Sequence, residues 1–478
     1  YNFSTGNGTF DSLVLDTDIL VQDNRSLYVT NGIDFGVSTP TITLGGTGSG
    51  SLRLSGNANN SIGATGTGSI VLAHTSSRID DDGYASLTHT IGANVSISGF
   101  GTVTTLTGTS FFDNLGTITA DQSGLTLNLT RVNNNAVGTM SAINSAVLSL
   151  NTFTNNSTID INNATLTTAG SWSNPGQIIT TTSGTINFGG NFSRADFLNQ
   201  TNASLATTNL TGTMDNSGGT LTLDATTGDL NFINGTISGG TITDDGAGRY
   251  NFSTGNGTFD GVIVDTDLLI ENNRTLNITN DLEFGASAPT ITLGGTGYGR
   301  ITLLNNVSQS IGATGTGSII LNHASSQVND QGYSGHLHTI GQNVSISGFG
   351  GVTAGAASSF FDNLGTITAD QSGLAVTLTR VNNDTLGTIT TINGATLNLA
   401  GTWINDGLIS TNASTLNMAS TTAWTNNGTI TATNSSTLST AGTWTQNGTF
   451  SILSSSTVNL GGNFSTVEFE GINRDVDT

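Results

Sequence analysis

An all-β solenoid, a chain wound into short stacked coils, is the fold class that three observations predict. A Trp-Asn-Gly motif returns about every twenty residues, short runs alternate apolar with polar residues, and long helix-favouring runs are missing. The motif reads "AGTWINDGLI" at 400–409, "TAWTNNGTI" at 422–430 and "AGTWTQNGTF" at 441–450, with "AGSWSNPGQI" at 169–178. In "TLNLAGTWINDGLISTNAS" (396–414), Leu397 and Leu399 alternate with polar neighbours, the period of a half-buried strand. A second extended piece surrounds Trp403, "NDG" (405–407) signals a turn, and "LIS" begins a third. Three short strands and three turns in about twenty residues make one coil of a parallel β-helix. Coils stack about 4.8 Å apart, so about twenty of them predict an elongated rod on the order of 100 Å long.

Repetition occurs on two scales. "YNFSTGNGTFD" (1–11) recurs unchanged at 250–260, and "SFFDNLGTITADQSGL" (110–125) recurs at 359–374, both at an offset of 249. The chain therefore reads as two long repeats, 1–249 and 250–478, in one continuous rod. Later the offset grows to 272, where "NFGGNFS" (187–193) matches "NLGGNFS" (459–465), so the second copy has gained 272 − 249 = 23 residues. Trp403, Trp424, Trp444 and Phe464 are spaced by 21, 20 and 20, and Phe153, Trp172 and Phe192 by 19 and 20. The gain is one whole coil, which a stack tolerates because each unit touches only its neighbours. The second copy stops short of the first one's end, and neither end shows a polar capping unit; open β-edges invite end-to-end pairing.

Each repeated residue type has a structural reading. Inward equivalents lie above one another, so the seven aromatics form columns of rings. The turn residues Asn405, Asn427 (or its neighbour Asn426) and Asn447 are expected to form an amide ladder from coil to coil. Gly407, Gly428 and Gly448 are expected to supply positive φ at the turn.

Composition excludes several functions. The chain has 478 residues, 64 Gly, no Cys and no Lys; 10 Arg face 32 acidic residues, for a net charge of −22. Such a surface repels phosphate backbones and anionic lipid, so no nucleic-acid partner is expected. No apolar run approaches the length of roughly 18 residues that a membrane span requires, which predicts no membrane insertion. Disulfides and thiolate metal sites are ruled out.

Candidates for chemistry are few. Asp16 and Asp18 in "DTD", repeated as Asp265 and Asp267, share a strand face and read as a solvated pair. "RIDDDGY" (78–84) resembles a calcium loop through Asp80, Asp81 and Asp82, but its counterpart "QVNDQGY" (327–333) keeps one acid. Ca²⁺ there is the one ion candidate; no other cofactor is expected. "HLH" (336–338) places two imidazoles on one face, whereas the first copy has His89 alone, so a surface histidine is expected. The glycine-rich "LGGTGSG" (44–50) leads into no helix and reads as a turn. Arginines are scattered rather than clustered with acids, and no catalytic residue is assigned. Roughly two dozen N-x-[ST] triplets include Asn2, Asn7, Asn128, Asn251 and Asn256 as candidate glycosylation acceptors. Thr-rich stretches such as "TVTTLTGT" (102–109) lack the strict Thr pairing of ice-binding solenoids.

The "GTWTNNGTI"-like units, interleaved with "TLTL" and "NLTGTMDNSGGTLTL" (209–223), resemble the giant bacterial β-strand repeat proteins. They also resemble the shafts of filamentous-haemagglutinin-type adhesins. The resemblance implies export to the cell surface or beyond and a right-handed parallel β-helix, in keeping with the handedness of parallel crossovers. The leading expectation is a non-enzymatic extracellular structural fibre whose partners are copies of itself or adjoining repeats. The alternatives are an adhesin shaft that displays a glycan- or receptor-binding tip, and a β-helix carbohydrate-active enzyme.

Overall fold

The computed structural model describes residues 1–418 and 422–474. Strands make up 57% and helices 3%, arranged as about 21 parallel stacked turns of ~22 residues each: a β-solenoid. The chain divides into two compact units. One comprises Tyr1–Asp215, Leu223–Leu230 and Gly246–Arg249; the other comprises Asn216–Thr222, Asn231–Asp245 and Tyr250–Thr478.

In the second unit the Trp-Asn-Gly coils have three faces. Thr366–Ala369 pairs in parallel with Thr388–Thr391, then Leu408–Asn412, Thr429–Thr433 and Thr449–Ile452. A second face stacks Thr396–Ala400, Thr415–Met418, Thr437–Thr440 and Thr457–Asn459. The third stacks Trp403–Asn405, Ala423–Asn426 and Thr443–Gln446. Period-two sequences such as "TITA" send β-branched apolar side chains inward and Thr outward. Ile367, Ile389, Ile409, Ile430 and Phe450 thus lie one above another in the interior, each at most 1% exposed. Burying each contributes roughly 1.5–3 kcal/mol, repeated at every coil. The outward register collects hydroxyls into columns, Thr368–Thr390–Ser410–Thr431 among them, more regularly than the sequence alone suggests.

The first unit follows the same plan. Thr117–Ala120, Thr139–Ile143, Thr158–Asn162 and Gln177–Thr180 form one face, and Thr126–Thr130, Val147–Asn151, Ala164–Ala169 and Gly184–Phe188 another.

The early part of each unit departs from the twenty-residue period. Ser69 pairs with Ser96 and Ser318 with Ser345, a spacing of 96 − 69 = 345 − 318 = 27 in both cases. The strands there are longer, Gly68–Asp81 and Gly317–Asp330 having 14 residues each. The register with the neighbouring 10-residue strand Val95–Thr104 shifts at a corner, between Phe100 and Thr102 in the first unit. Gly99 makes that corner with φ of +104°, and a Cβ on it would lie 2.0 Å from the Leu72 carbonyl.

The added coil also appears in the only α-helices among the described residues. α1 (Arg194–Leu198) and α2 (Thr466–Glu470) begin at an offset of 466 − 194 = 272, the larger of the two repeat offsets. Ser193 and Ser465 cap them, each within a capping box closed by Asp196 or Glu468.

Candidate functional site: stacked ladders and a repeated Asp–His pair

The aromatic columns are continuous. In the first unit Phe153 stacks on Trp172 at 5.5 Å and Trp172 on Phe192 at 4.6 Å. In the second, Trp403, Trp424, Trp444 and Phe464 follow at 4.8, 5.3 and 4.7 Å, the indoles within 7° of parallel. Six of the seven are buried, whereas Phe464 is 37% exposed. The indole N–H groups of Trp172, Trp424 and Trp444 donate to the carbonyls of Gly189, Ala441 and Gly461 in the next coil. Each of these indoles thus buries its rings while satisfying its one polar atom.

Beside each column runs a buried amide ladder. In the first unit Asn114 Nδ2 donates to Asn134 Oδ1 (3.0 Å), Asn134 to Asn155 (2.8 Å) and Asn155 to Asn174 (2.6 Å). In the second, Asn363 donates to Asn383 (2.9 Å), Asn383 to Asn405 (2.8 Å), Asn405 to Asn426 (2.7 Å) and Asn426 to Gln446 Oε1 (2.9 Å). Every asparagine in these runs is at most 1% exposed. Nδ2 of Asn134, Asn383, Asn405 and Asn426 also donates to a backbone carbonyl just past the partner amide, as Asn405 does to Thr429 O at 3.2 Å. The low-dielectric interior strengthens such chains and makes a missing member costly.

Two sequence expectations need correction. Asn405 belongs to the buried ladder, but Asn427 and Asn447 do not. They form a separate exposed ladder, Asn447 Nδ2 to Asn427 Oδ1 at 2.9 Å and Asn427 Nδ2 to Asp406 Oδ1 at 2.8 Å. Strand alternation decides: Asn405 pairs in register with Asn426, and Asn426 with Gln446, so the inward position falls one residue before the turn. Gly407, Gly428 and Gly448 are likewise not positive-φ residues. They are glycine because the coils press together there: a Cβ would lie 2.2 Å from Asp384 O at Gly407, 2.2 Å from Gly407 O at Gly428 and 2.0 Å from Gly428 O at Gly448.

The acids of "DTD" tie adjacent coils. Asp16 accepts from Ser38 N and Asp18 from Thr41 N, while Asp265 and Asp267 accept from Ser287 N and Thr290 N. An open cleft beside Tyr1, Asp18 and Thr41 brings no second carboxylate to Asp18.

The calcium-loop reading of Asp80, Asp81 and Asp82 fails on geometry, because the three carboxylates do not converge. Asp80 is fully buried and gripped by Arg53 through two bonds (2.7 and 2.8 Å) and by Arg78 at 2.8 Å. Asp81 Oδ1 accepts from Leu106 N (2.7 Å) and Gly83 N (3.1 Å), and Asp82 from Gly56 N (3.2 Å). Among the described residues no group of three or more His, Cys, Asp or Glu could hold a metal ion. In the second copy the Arg53, Arg78 and Asp80 positions are Thr302, Gln327 and Asn329, and Thr302 Oγ1 donates to Asn329 Oδ1 at 2.8 Å. An ion triad has been exchanged as a set for neutral groups.

The surface-histidine expectation is overturned for His89 and His338, which are 0% and 2% exposed. His89 Nδ1 accepts from Asn60 N (3.1 Å) and the ring packs on Phe112 at 5.2 Å; His338 repeats this with Gln309 N (3.2 Å) and Phe361 (5.2 Å). Because Nδ1 is an acceptor, the proton of the neutral ring sits on Nε2. That atom faces a buried carboxylate in each copy, Asp81 Oδ2 or Asp330 Oδ2, both at 3.6 Å. A protonated Nε2 is a poor metal ligand. Sequence offered one signal for this pair: Asp and His recur eight residues apart at the 249 offset, while Asp80, Asp82 and Thr88 beside them become Asn329, Gln331 and Leu337. His336, in contrast, contacts Asn306 Oδ1 at 2.7 Å near the surface.

Of the five candidate glycosylation acceptors, Asn128 and Asn251 use Nδ2 in bonds to Gly101 O and Asn231 Oδ1. Asn7 and Asn256 accept through Oδ1 from Ser26 N and Thr275 N, and Asn2 is exposed.

No protein-family model, curated protein or solved structure matches the chain. Fold and ladders define a class, a β-solenoid tandem-repeat protein whose repeated residues join coil to coil.

Proposed function

We propose that the chain is a shaft segment of an extracellular structural fibre or surface matrix, part of a longer repetitive chain that self-associates end to end. The observation that carries the reading is the extra coil of the second copy. The buried ladder gains a member there, from four asparagines to Asn363, Asn383, Asn405, Asn426 and Gln446, with no break in its bonds. A protein selected for length can add coils in this way, whereas a binding or catalytic groove is displaced by them. End-to-end joining is supported by the sameness of the coils: each offers one edge of parallel donors and acceptors that fits the opposite edge of another.

The resemblance to haemagglutinin-type shafts favours, second, an adhesin stalk whose binding tip lies elsewhere. A carbohydrate-active β-helix needs carboxylates within about 5–10 Å of one another and free for substrate; Asp16, Asp18, Asp80 and Asp81 are taken by backbone N–H groups or arginines. Surface labelling of producing cells, with negative-stain microscopy of the purified chain across concentration, tests the proposal. Label on external filaments and concentration-dependent polymers are expected; intracellular label and monomers at every concentration would refute it.

A further inference from the structure

We infer that the Asp81–His89 and Asp330–His338 pairs are acid-released staples, each holding three successive coils at neutral pH and freeing the turn of the preceding coil when the medium turns acidic. One carboxylate and one imidazole do the joining. Asp81 Oδ1 binds Gly83 N in its own coil and Leu106 N in the next, while His89 reaches back to Asn60 N in the coil before. The second copy repeats every contact: Asp330 Oδ1 binds Gly332 N (3.1 Å) and Gly355 N (2.5 Å), and His338 binds Gln309 N. The remaining oxygen of each carboxylate faces imidazole Nε2 at 3.6 Å, too far for a full hydrogen bond. The pair is in place yet not tightly closed.

Acid acts on this geometry at Nδ1. A second proton there would point at the N–H of Asn60 or Gln309, setting two donors face to face and breaking the link to the preceding coil. Burial holds His89 below its ordinary value, against the pull of Asp81. Asp330 is pushed up by burial, but the His338 contact and the N–H groups of Gly355 and Gly332 prevail and leave it below the usual carboxylate range. The signs agree. An unfolded histidine takes its proton near pH 6.5, so the stability owed to a buried neutral His89 is complete above that pH and is lost as pH falls below it. Asp330 adds stability above the ordinary carboxylate range that is lost at still lower pH.

The surrounding charges are largely committed elsewhere. On the strand of Asp81, Asp80 is joined to both Arg78 and Arg53, and His74 accepts from Ser76 N. Asp82 accepts from Gly56 N, and Asp113 on the strand of Phe112 accepts from Asn133. Around His338 the matching positions are Thr302, Gln327, Asn329 and Gln331, leaving His323, Asp362 and His336, whose ring lies 6.2 Å away. The pair persists while the charges around it change, which points to the pair itself as the working part.

Amide hydrogen exchange at about pH 7.5 and about pH 4.5, corrected for intrinsic rates, tests the inference on the intact chain. Turns 56–60 and 305–309, which carry Asn60 and Gln309, are expected to lose protection by about tenfold or more in acid, while strands Thr117–Ala120 and Thr366–Ala369 stay protected. In the double variant His89→Gln/His338→Gln, whose amides cannot titrate, the turns should change by less than about twofold. Unchanged turns in the natural protein, or an equal acid loss in the variant, would overturn the staple. Should the variant not fold, NMR titration of the His89 imidazole decides: a midpoint below the ordinary histidine value supports the inference and one at or above it refutes it.

Discussion

Asn426 and Asn427 are neighbours with opposite environments, the first buried in the ladder and the second on the exposed one. Asn405→Ala leaves Asn383 and Asn426 with unmet polar atoms in the interior and should cost about 2–3 kcal/mol. Asn427→Ala should cost under about 1 kcal/mol, since water replaces its partners. Urea unfolding of both variants checks the difference, and similar midpoints would refute the two-ladder assignment. Gly428→Ala should destabilise by more than about 2 kcal/mol by pressing a methyl onto Gly407 O. Gly6→Ala, with nothing within 4 Å, should be neutral or slightly stabilising. At this scale the sequence reads only in part. "NNG" contains the inward and the outward residue side by side, and only the strand register chooses between them. The glycines look alike in sequence whether they serve an unusual φ or a close approach.

Elements trade their interactions as sets. Asp80→Asn alone leaves Arg53 and Arg78 facing each other over a buried neutral group and should cost about 2–4 kcal/mol, the lower end because Arg78 is half exposed. Arg53→Thr, Arg78→Gln and Asp80→Asn together reproduce the Thr302–Gln327–Asn329 arrangement and should cost less than about 1 kcal/mol. Thermal unfolding of the single and triple variants measures the coupling; equal losses would contradict it. The alternating "TITA" and "TLNL" runs made the strands and their inward faces legible. The histidine sites were hidden because His89 finds Asn60 29 residues back. The 10-residue strand Val95–Thr104 was hidden as one element because the corner at Gly99–Gly101 interrupts no hydrophobic pattern.

For the whole molecule the coil is the unit of change. Removing residues 406–426 joins Asn405 to Asn427–Gly428, deletes one rung and leaves the flanking ladders in register. The shortened protein should fold with a melting temperature within a few degrees of the parent, since each rung contacts only its neighbours. Removing 406–416 instead brings mismatched strand faces together and should abolish cooperative unfolding. The two repeat scales and the added coil could be read directly from the offsets of 249 and 272, because a stacked fold writes its geometry into sequence spacing.

Whether these coils serve as the shaft of an extracellular fibre is tested most directly by cryo-electron microscopy of native material with helical averaging, paired with intact-mass measurement of the chain. Continuous filaments with an axial repeat of about 4.8 Å, built from stacked copies or from a longer chain, are the predicted result. Discrete particles that never polymerise, each of the mass of one 478-residue chain, would contradict it.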